Sequence, residues 1–196
     1  MGTEPGDPAA GPAWTTARLV GRAPTPADAA AVLALHRAPG VVAHDPGDAL
    51  ADLAAAQRRV ERWARHWHEH GTGYALLSWR GPGAADGTVV GVCGTAVMTL
   101  HDRPVLNLLY RLHPAARGRG VATEAATAVV ARARRSPLRL PVTARVRPAN
   151  SASARVALAA GLERDPELDV CGEDGPEEVY RADVEMEPGV TGRRSC

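Results

Sequence analysis

The sequence predicts one α/β (α+β) domain: a mixed, mostly antiparallel central sheet of about seven strands with four helices packed on it. Three observations predict it. Strand-like and helix-like stretches alternate in the order β-α-α-β-β-β-α-β-α-β-β. The middle three strands are joined by short Gly/Pro/Asp connections, which favour an antiparallel meander. The chain, 196 residues long and 45% hydrophobic, is long and apolar enough to bury one core.

"ARLVGRAP", 17–24, alternates as a first strand. Thr25 is placed as an N-cap with Pro26 at the first helical position, so a short helix follows. Between Asp48 and His70, Leu50, Leu53, Val60, Trp63 and Trp67 recur at helical spacing and predict an amphipathic helix. Strands are expected at 74–80, 88–100 and 105–114, punctuated by "GPGAADG" and "HDRP". An Ala-rich helix runs from Val121 to about Arg134, with basic residues in its last turn. "PVTARVRP" is a strand. "NSASARVALAAG" is a helix capped by Asn150 or Ser151 and stopped by Gly161. Two strands, near 168–171 and 178–184, close the chain across "EDGP". Residues 1–16 and 186–196 read as flexible tails, leaving a domain over 17–185.

Composition removes several functions. The formal net charge is +1, so no global field favours nucleic acid or a membrane. The 23 basic residues are all Arg. Without Lys there is no phosphate-binding P-loop. Usage rich in Ala, Arg, Gly and Pro is that of a high-GC bacterial coding sequence. Cys93, Cys171 and Cys196 are odd in number and form no CxxC, which disfavours a disulfide framework or Cys-based zinc and suits a reducing cytoplasm. No apolar run approaches the roughly 18–20 residues of a membrane span. His66, His68 and His70 lie without an HExxH pattern and read as polar residues near a helix end, not as a metal site.

The informative stretch is "YRLHPAARGRGVATEAATAVVARARR", 110–135. A strand ends at Pro114, Gly118 and Gly120 bracket Arg119, and a helix begins. Glycines in such a turn permit backbone conformations and close approaches that a Cβ blocks. The first turn of a helix leaves N–H groups unpaired, and its dipole favours an anion. Gly118, Arg119, Gly120, Val121 and Ala122 therefore offer donors to a phosphate, with charge from Arg117 and Arg119. The competing readings are a plain glycine loop and an RNA patch. The latter needs repeated RG units or interleaved aromatics, and the stretch has one unit. A dinucleotide fingerprint needs Gly where Thr123 stands.

"RLHPAARGRGVATEA" resembles the motif [Q/R]-x-x-G-x-[G/A] of the GNAT acetyltransferase superfamily, with Arg117, Gly120 and Ala122 at its fixed positions. The wording around it is most similar to the RimJ/RimL type, which acetylates ribosomal-protein N-termini. "VTARVRPANSASARVALAAGLE" is similar to a second segment of that branch through Asn150, Ser153, Val156, Gly161 and Leu162. The resemblance spans roughly 17–185 and implies the GNAT fold, acetyl-CoA as cosubstrate without a metal, and a cytoplasmic N-acetyltransferase. The cosubstrate residues it implies are Leu112, His113, Arg117, Gly118, Arg119, Gly120, Val121, Ala122, Thr123, Asn150 and Ser153. The pyrophosphate is expected on the amides of 117–122. Pantetheine is expected along 109–113, where the sheet splays from 142–147. Members of the family often form homodimers, and the resemblance carries that expectation.

The implied chemistry is direct attack of a neutral amine on the thioester. It requires a main-chain N–H for the oxyanion, expected on 110–112, and a partner for the leaving thiolate. Here the chain departs from common family patterns. Asn107 stands where many members carry Glu, and Ala157 where many carry a proton-donating Tyr. Ser153 remains the catalytic candidate; as a plain reading it is a polar helix residue near the cosubstrate. His101, Asp102 and Tyr180 are further candidates through water, and Trp63 and Trp67 either line an acceptor pocket or pack on the sheet. The acceptor is expected to be an amine, on a protein N-terminus or a small molecule. The alternatives are an antibiotic or other small-amine acetyltransferase on the same fold, and a non-catalytic CoA-binding regulatory module.

Overall fold

The computed structural model describes residues 11–81, 87–172 and 174–183. Residues 1–10 of the expected N-terminal tail, the 186–196 tail, the strand end at Val184 and most of the "GPGAADG" connection lie outside these. Among the described residues nine strands form the sheet: β1 Trp14–Thr15, β2 Leu19–Arg22, β3 Tyr74–Trp79, β4 Gly91–Leu100, β5 Arg103–Leu112, β6 Val142–Val146, β7 Glu163–Arg164, β8 Val170–Gly172 and β9 Gly175–Ala182. Four α-helices accompany them: α1 Ala29–Arg37, α2 Leu53–His70, α3 Val121–Arg134 and α4 Ser151–Ala159.

The count of seven strands is corrected to nine by β1 and β7. Each has two residues, too few to show an alternation. β1 also shortens the expected tail: Trp14 pairs with Gly21, and its ring lies where a Cβ on residue 21 would stand. The second helix begins at Leu53 rather than Asp48. Asp52 is its cap, accepting from the Ala55 N–H at 2.7 Å. Asp48 instead ends a short 3-10 turn, Pro46–Asp48. Before α1, the Asp28 carboxylate accepts from the Thr25 N–H at 2.7 Å, so the predicted Thr25 start holds.

The strand order is β1-β2-β3-β4-β5-β6-β9-β7, with β8 on β9. Every pairing is antiparallel except β5 with β6. Alternation along the strands divides the core between two faces. Leu106, Leu108 and Leu112 pack with Val121, Ala125, Val129 of α3 and Ala157 of α4. Leu76 and Val92 pack with Val32 and Leu35 of α1 and Val60 and Trp63 of α2. Each buried Leu or Val side chain stabilises the fold by roughly 1.5–3 kcal/mol.

The pairings of β5 position the site. Against β4 it is in register over its whole length, from Leu100↔Arg103 to Gly91↔Leu112. Against β6 it pairs only at Leu106↔Val142 and Asn107↔Thr143. Beyond Asn107 the two strands part.

Candidate active site

The gap left by that parting opens into a cavity of about 610 Å³. One wall is the end of β5, with Tyr110, Arg111 and Leu112. A second is Arg117, Gly118, Gly120 and the first turn of α3, Val121 to Thr123. The start of α4, with Asn150, Ser153 and Val156, forms the third. The segment after α1, including Gly40, His44 and Asp45, closes the fourth side.

Backbone alternation fixes which groups of β5 face the gap. The Leu106 N–H donates to the Pro141 carbonyl, toward β6. The His113 N–H donates to Val90, toward β4. The amides of Leu108, Tyr110 and Leu112 share the parity of Leu106 and point into the gap. These are the donors through which an extended ligand can pair as an added strand.

The glycines of the turn are required by conformation. Gly118 and Gly120 have φ of +70° and +71°, in the left-handed region that an L side chain resists. Gly120 is the N-cap of α3 and offers no side chain of its own to the helix amides. A Cβ on Gly118 would meet nothing within 4 Å, so that face of the turn is open to a ligand. The first-turn carboxylate, Glu124, is turned away from the amides. It accepts from Thr16 Oγ1 at 2.5 Å and from Arg18 Nε at 2.6 Å. Those bonds and the Arg18 charge offset its burial and hold it below the usual carboxylate range. The amides at the start of α3 thus keep their positive end for an outside anion.

The structure brings nine of the eleven implied cosubstrate residues to the cavity wall, and His113 and Arg119 are the exceptions. The His113 ring accepts from the Ala115 N–H at 3.3 Å. Arg119 lies over the Trp79 ring at 5.0 Å, and its carbonyl accepts from Arg18. Arg117 reaches the cavity and also braces it, donating to the Leu112 carbonyl at 3.2 Å and to Gly40 at 3.0 Å. Asn150 caps α4, accepting from the Ser153 N–H at 3.1 Å. Ser153 Oγ donates to the Tyr110 hydroxyl at 2.8 Å, and that hydroxyl donates to the Ser153 carbonyl at 2.7 Å. Burial, against this hydrogen bond, pushes the Tyr110 phenol up to about 12.

The other candidates lie elsewhere. His101 and Asp102 form the β4–β5 turn at positive φ. Tyr180 is buried and donates to Glu178 at 3.1 Å. Asn107 donates to the Tyr74 hydroxyl at 2.8 Å. Trp63 and Trp67 are packing residues: Trp63 meets Tyr74 edge-to-face at 5.7 Å, and Trp67 Nε1 donates to the Tyr74 carbonyl at 2.9 Å. His66 accepts from the Val97 N–H at 3.1 Å, satisfying β4 where β3 no longer reaches. Among the described residues no cluster of three His, Cys, Asp or Glu is placed to hold a metal.

Sequence reasoning missed the network that fastens the fourth wall. Arg111 interrupts the apolar run of β5 and is 9% exposed. It pairs with Asp48, and reaches Asp45 at 3.3 Å. Arg59 of α2 pairs with the same Asp48. Burial alone would raise the Asp48 carboxyl, but these two guanidinium groups bring it below its ordinary value. His36 donates from Nδ1 to the Asp48 carbonyl at 3.0 Å. Burial and the Arg111 charge lower its imidazole to about 4. The signal was one charge in "LLYRL", which has to be paired if buried; its partner, in a turn before α2, carries no pattern.

A split sheet with a glycine-bracketed helix start beside the split is a site that an extended, anionic ligand can enter. The acetyltransferase (GNAT) domain family matches residues 18–163. The chain belongs to that family and is an acyltransferase. None of the curated proteins compared with it matches its sequence. It is similar to the structure of an acetyltransferase from Agrobacterium tumefaciens str. C58, at 27% identity and a TM-score of 0.69 over 86% of this chain and 92% of that one. Its fold is also that of RimL, the ribosomal L7/L12 alpha-N-protein acetyltransferase solved with coenzyme A, at 14% identity and TM-score 0.67 over 88% and 98%. The aminoglycoside acetyltransferase AAC(6')-Ib, solved with coenzyme A, gives 17% identity and 0.67 over 84% and 94%. No helix among the described residues is long and apolar enough to cross a membrane.

Proposed function

We propose that the protein is an acetyl-CoA-dependent N-acetyltransferase whose acceptor is an α-amino group, as on a protein or peptide N-terminus, or a weakly basic small amine. The observation that carries this reading is the coincidence in one cavity of the β5–β6 gap and the open amides of Gly118 to Thr123. The pyrophosphate of acetyl-CoA sits on those amides. The pantetheine arm pairs with the Leu108, Tyr110 and Leu112 amides, which also provide the donor for the oxyanion. The amine enters from the side of His44 and Asp45.

The acceptor class rests on position 107, where Asn stands in place of the Glu that the resemblance leads one to expect. Asn107 cannot accept a proton and is bonded to Tyr74. An α-amine is about one tenth neutral at pH 7, whereas a Lys side chain is neutral below roughly 0.1%. RimL acts on an α-amine and AAC(6')-Ib on an aminoglycoside, so the fold accommodates both classes. The RimJ/RimL-like wording of the two motifs favours the first, in the cytoplasm. The test incubates the protein with acetyl-CoA and a panel of N-terminal peptides, lysine side chains and aminoglycosides, and follows free thiol. Release on α-amines supports the reading, and a kinetic preference for lysine side chains contradicts it. Stabilisation by acetyl-CoA is expected as well, about 2.7 kcal/mol at a hundredfold excess over Kd. Stabilisation with no turnover on any amine would make the chain a CoA-binding module.

A further inference from the structure

Position 157 on α4, where the resemblance leads one to look for a tyrosine, is an alanine with no exposed surface. A phenol nevertheless stands in the gap. It arrives from the opposite wall: Tyr110 projects from β5 onto the first turn of α4. Its hydroxyl and that of Ser153 each carry one proton. At rest both are committed, Ser153 Oγ–H to Tyr110 at 2.8 Å and Tyr110 O–H to the Ser153 carbonyl at 2.7 Å. The pair therefore shows the cavity only the lone pairs of Ser153. A thiolate in the gap reverses this without moving a heavy atom. The Tyr110 proton turns to Ser153 Oγ, and the Ser153 proton turns to sulfur.

We propose that Tyr110 is a positioning residue for acyl transfer, orienting the Ser153 hydroxyl so that it hydrogen-bonds the departing thiolate and keeps its own proton. The inference rests on the acetyl-CoA reading above. The step balances without an acid. The amine nitrogen forms a bond to the acetyl carbon, and the C–S bond breaks with its electron pair on sulfur. The surplus proton on nitrogen passes to water, and CoA leaves as the thiolate. Surrendering a proton from the pair would leave an alkoxide or a phenolate. Among the described residues neither has a cation bonded to it: the phenol's side-chain partner is Ser153, and its register partner on β4 is the buried thiol Cys93. The other titratable groups facing it are Tyr180 of β9, itself shifted upward by burial, and, across the cavity, His44, Asp45, Arg111, Arg117 and Arg155.

The test is the pH profile of turnover from pH 6 to 10, with acetyl-CoA and an N-terminally free tripeptide, for the native chain, Tyr110→Phe, Ser153→Ala and the double variant. The native profile is expected to rise with the neutral amine and stay level, with no alkaline descent. Each single variant is expected to lower kcat about tenfold, the worth of one hydrogen bond to an ion, with KM for acetyl-CoA within about twofold. The double variant should fall no further, since both residues act through one bond. A descending alkaline limb that vanishes in Tyr110→Phe would make the tyrosine a true acid and overturn the proposal. Additive losses, or a raised KM with unchanged kcat, would reduce Tyr110 to a structural contact and overturn it too. Calorimetric titration with CoA runs alongside. Absence of binding there sinks the acetyl-CoA reading itself, whereas binding with any of the preceding failures sinks only this inference.

Discussion

The two edges of β5 have opposite characters. Toward β4 the strand is zipped from Arg103 to Leu112. Toward β6 it is paired at two residues and then open. The same ten residues thus serve as a fully paired strand on one side and a mostly open edge on the other. An open edge inside a sheet leaves backbone donors without partners, a cost that a fold retains where a ligand supplies them. The edge here is flanked by the start of α3 and by the Tyr110–Ser153 pair, so the groups the fold leaves unsatisfied face one cavity.

Substitutions separate the two edges, beginning with the largest effect. Leu106 is fully buried at one of the two positions of β5 paired to β6. Leu106→Ala is expected to cost about 3 kcal/mol by denaturant unfolding, through lost burial and a residual cavity. A loss under about 1 kcal/mol would mean that the closed part of β5 is not the anchor.

Next comes the pH dependence of the fourth wall. His36 is held neutral, at about 4 against an ordinary 6.5. Between those values the unfolded chain binds a proton that the folded chain refuses. Stability is therefore complete above pH 6.5 and declines as pH falls toward 4. The decline is on the order of 2–3 kcal/mol at about 1.4 kcal/mol per pH unit. Thermal unfolding across that window should show it, and His36→Gln should flatten it.

A smaller effect tests the open edge. Gly120→Ala forces a side chain into φ +71° and is expected to cost about 1 kcal/mol. Under the proposed function it also weakens acetyl-CoA binding, because it displaces the N-cap of α3. The smallest effect separates the two arginines of the turn. Arg119 stacks on Trp79 outside the cavity, so Arg119→Ala should change stability by under about 1 kcal/mol and leave CoA affinity within twofold. Arg117→Ala, by contrast, removes the brace between Leu112 and Gly40 and should weaken it measurably.

How much of this the sequence showed depends on the range of the interactions. The four helices and seven of the strands carry periodic patterns or caps, so Thr25, Asn150 and Gly161 could be assigned their roles locally. The turn around Gly118 and Gly120 was also legible, since positive φ and a helix start are local properties. The wall built on Asp48 was not. Arg111 and Asp48 are 63 residues apart, and neither lies in a pattern that names the other. The same holds for Tyr110 and Ser153, 43 residues apart: Ser153 stood out by its motif, while its phenolic partner looked like one more aromatic of a strand. Arg119 shows the converse: its neighbours in sequence suggest a phosphate, while in space its side chain lies over Trp79.

Under the proposed function the open edge of β5 and the start of α3 together receive acetyl-CoA. Residue-resolved amide hydrogen exchange with and without CoA tests it most directly. Added CoA is expected to slow exchange at Leu108, Tyr110, Leu112 and Gly118 to Thr123, while amides already paired to β4, such as that of His113, are unchanged. Protection elsewhere, with these amides exchanging as before, would contradict it.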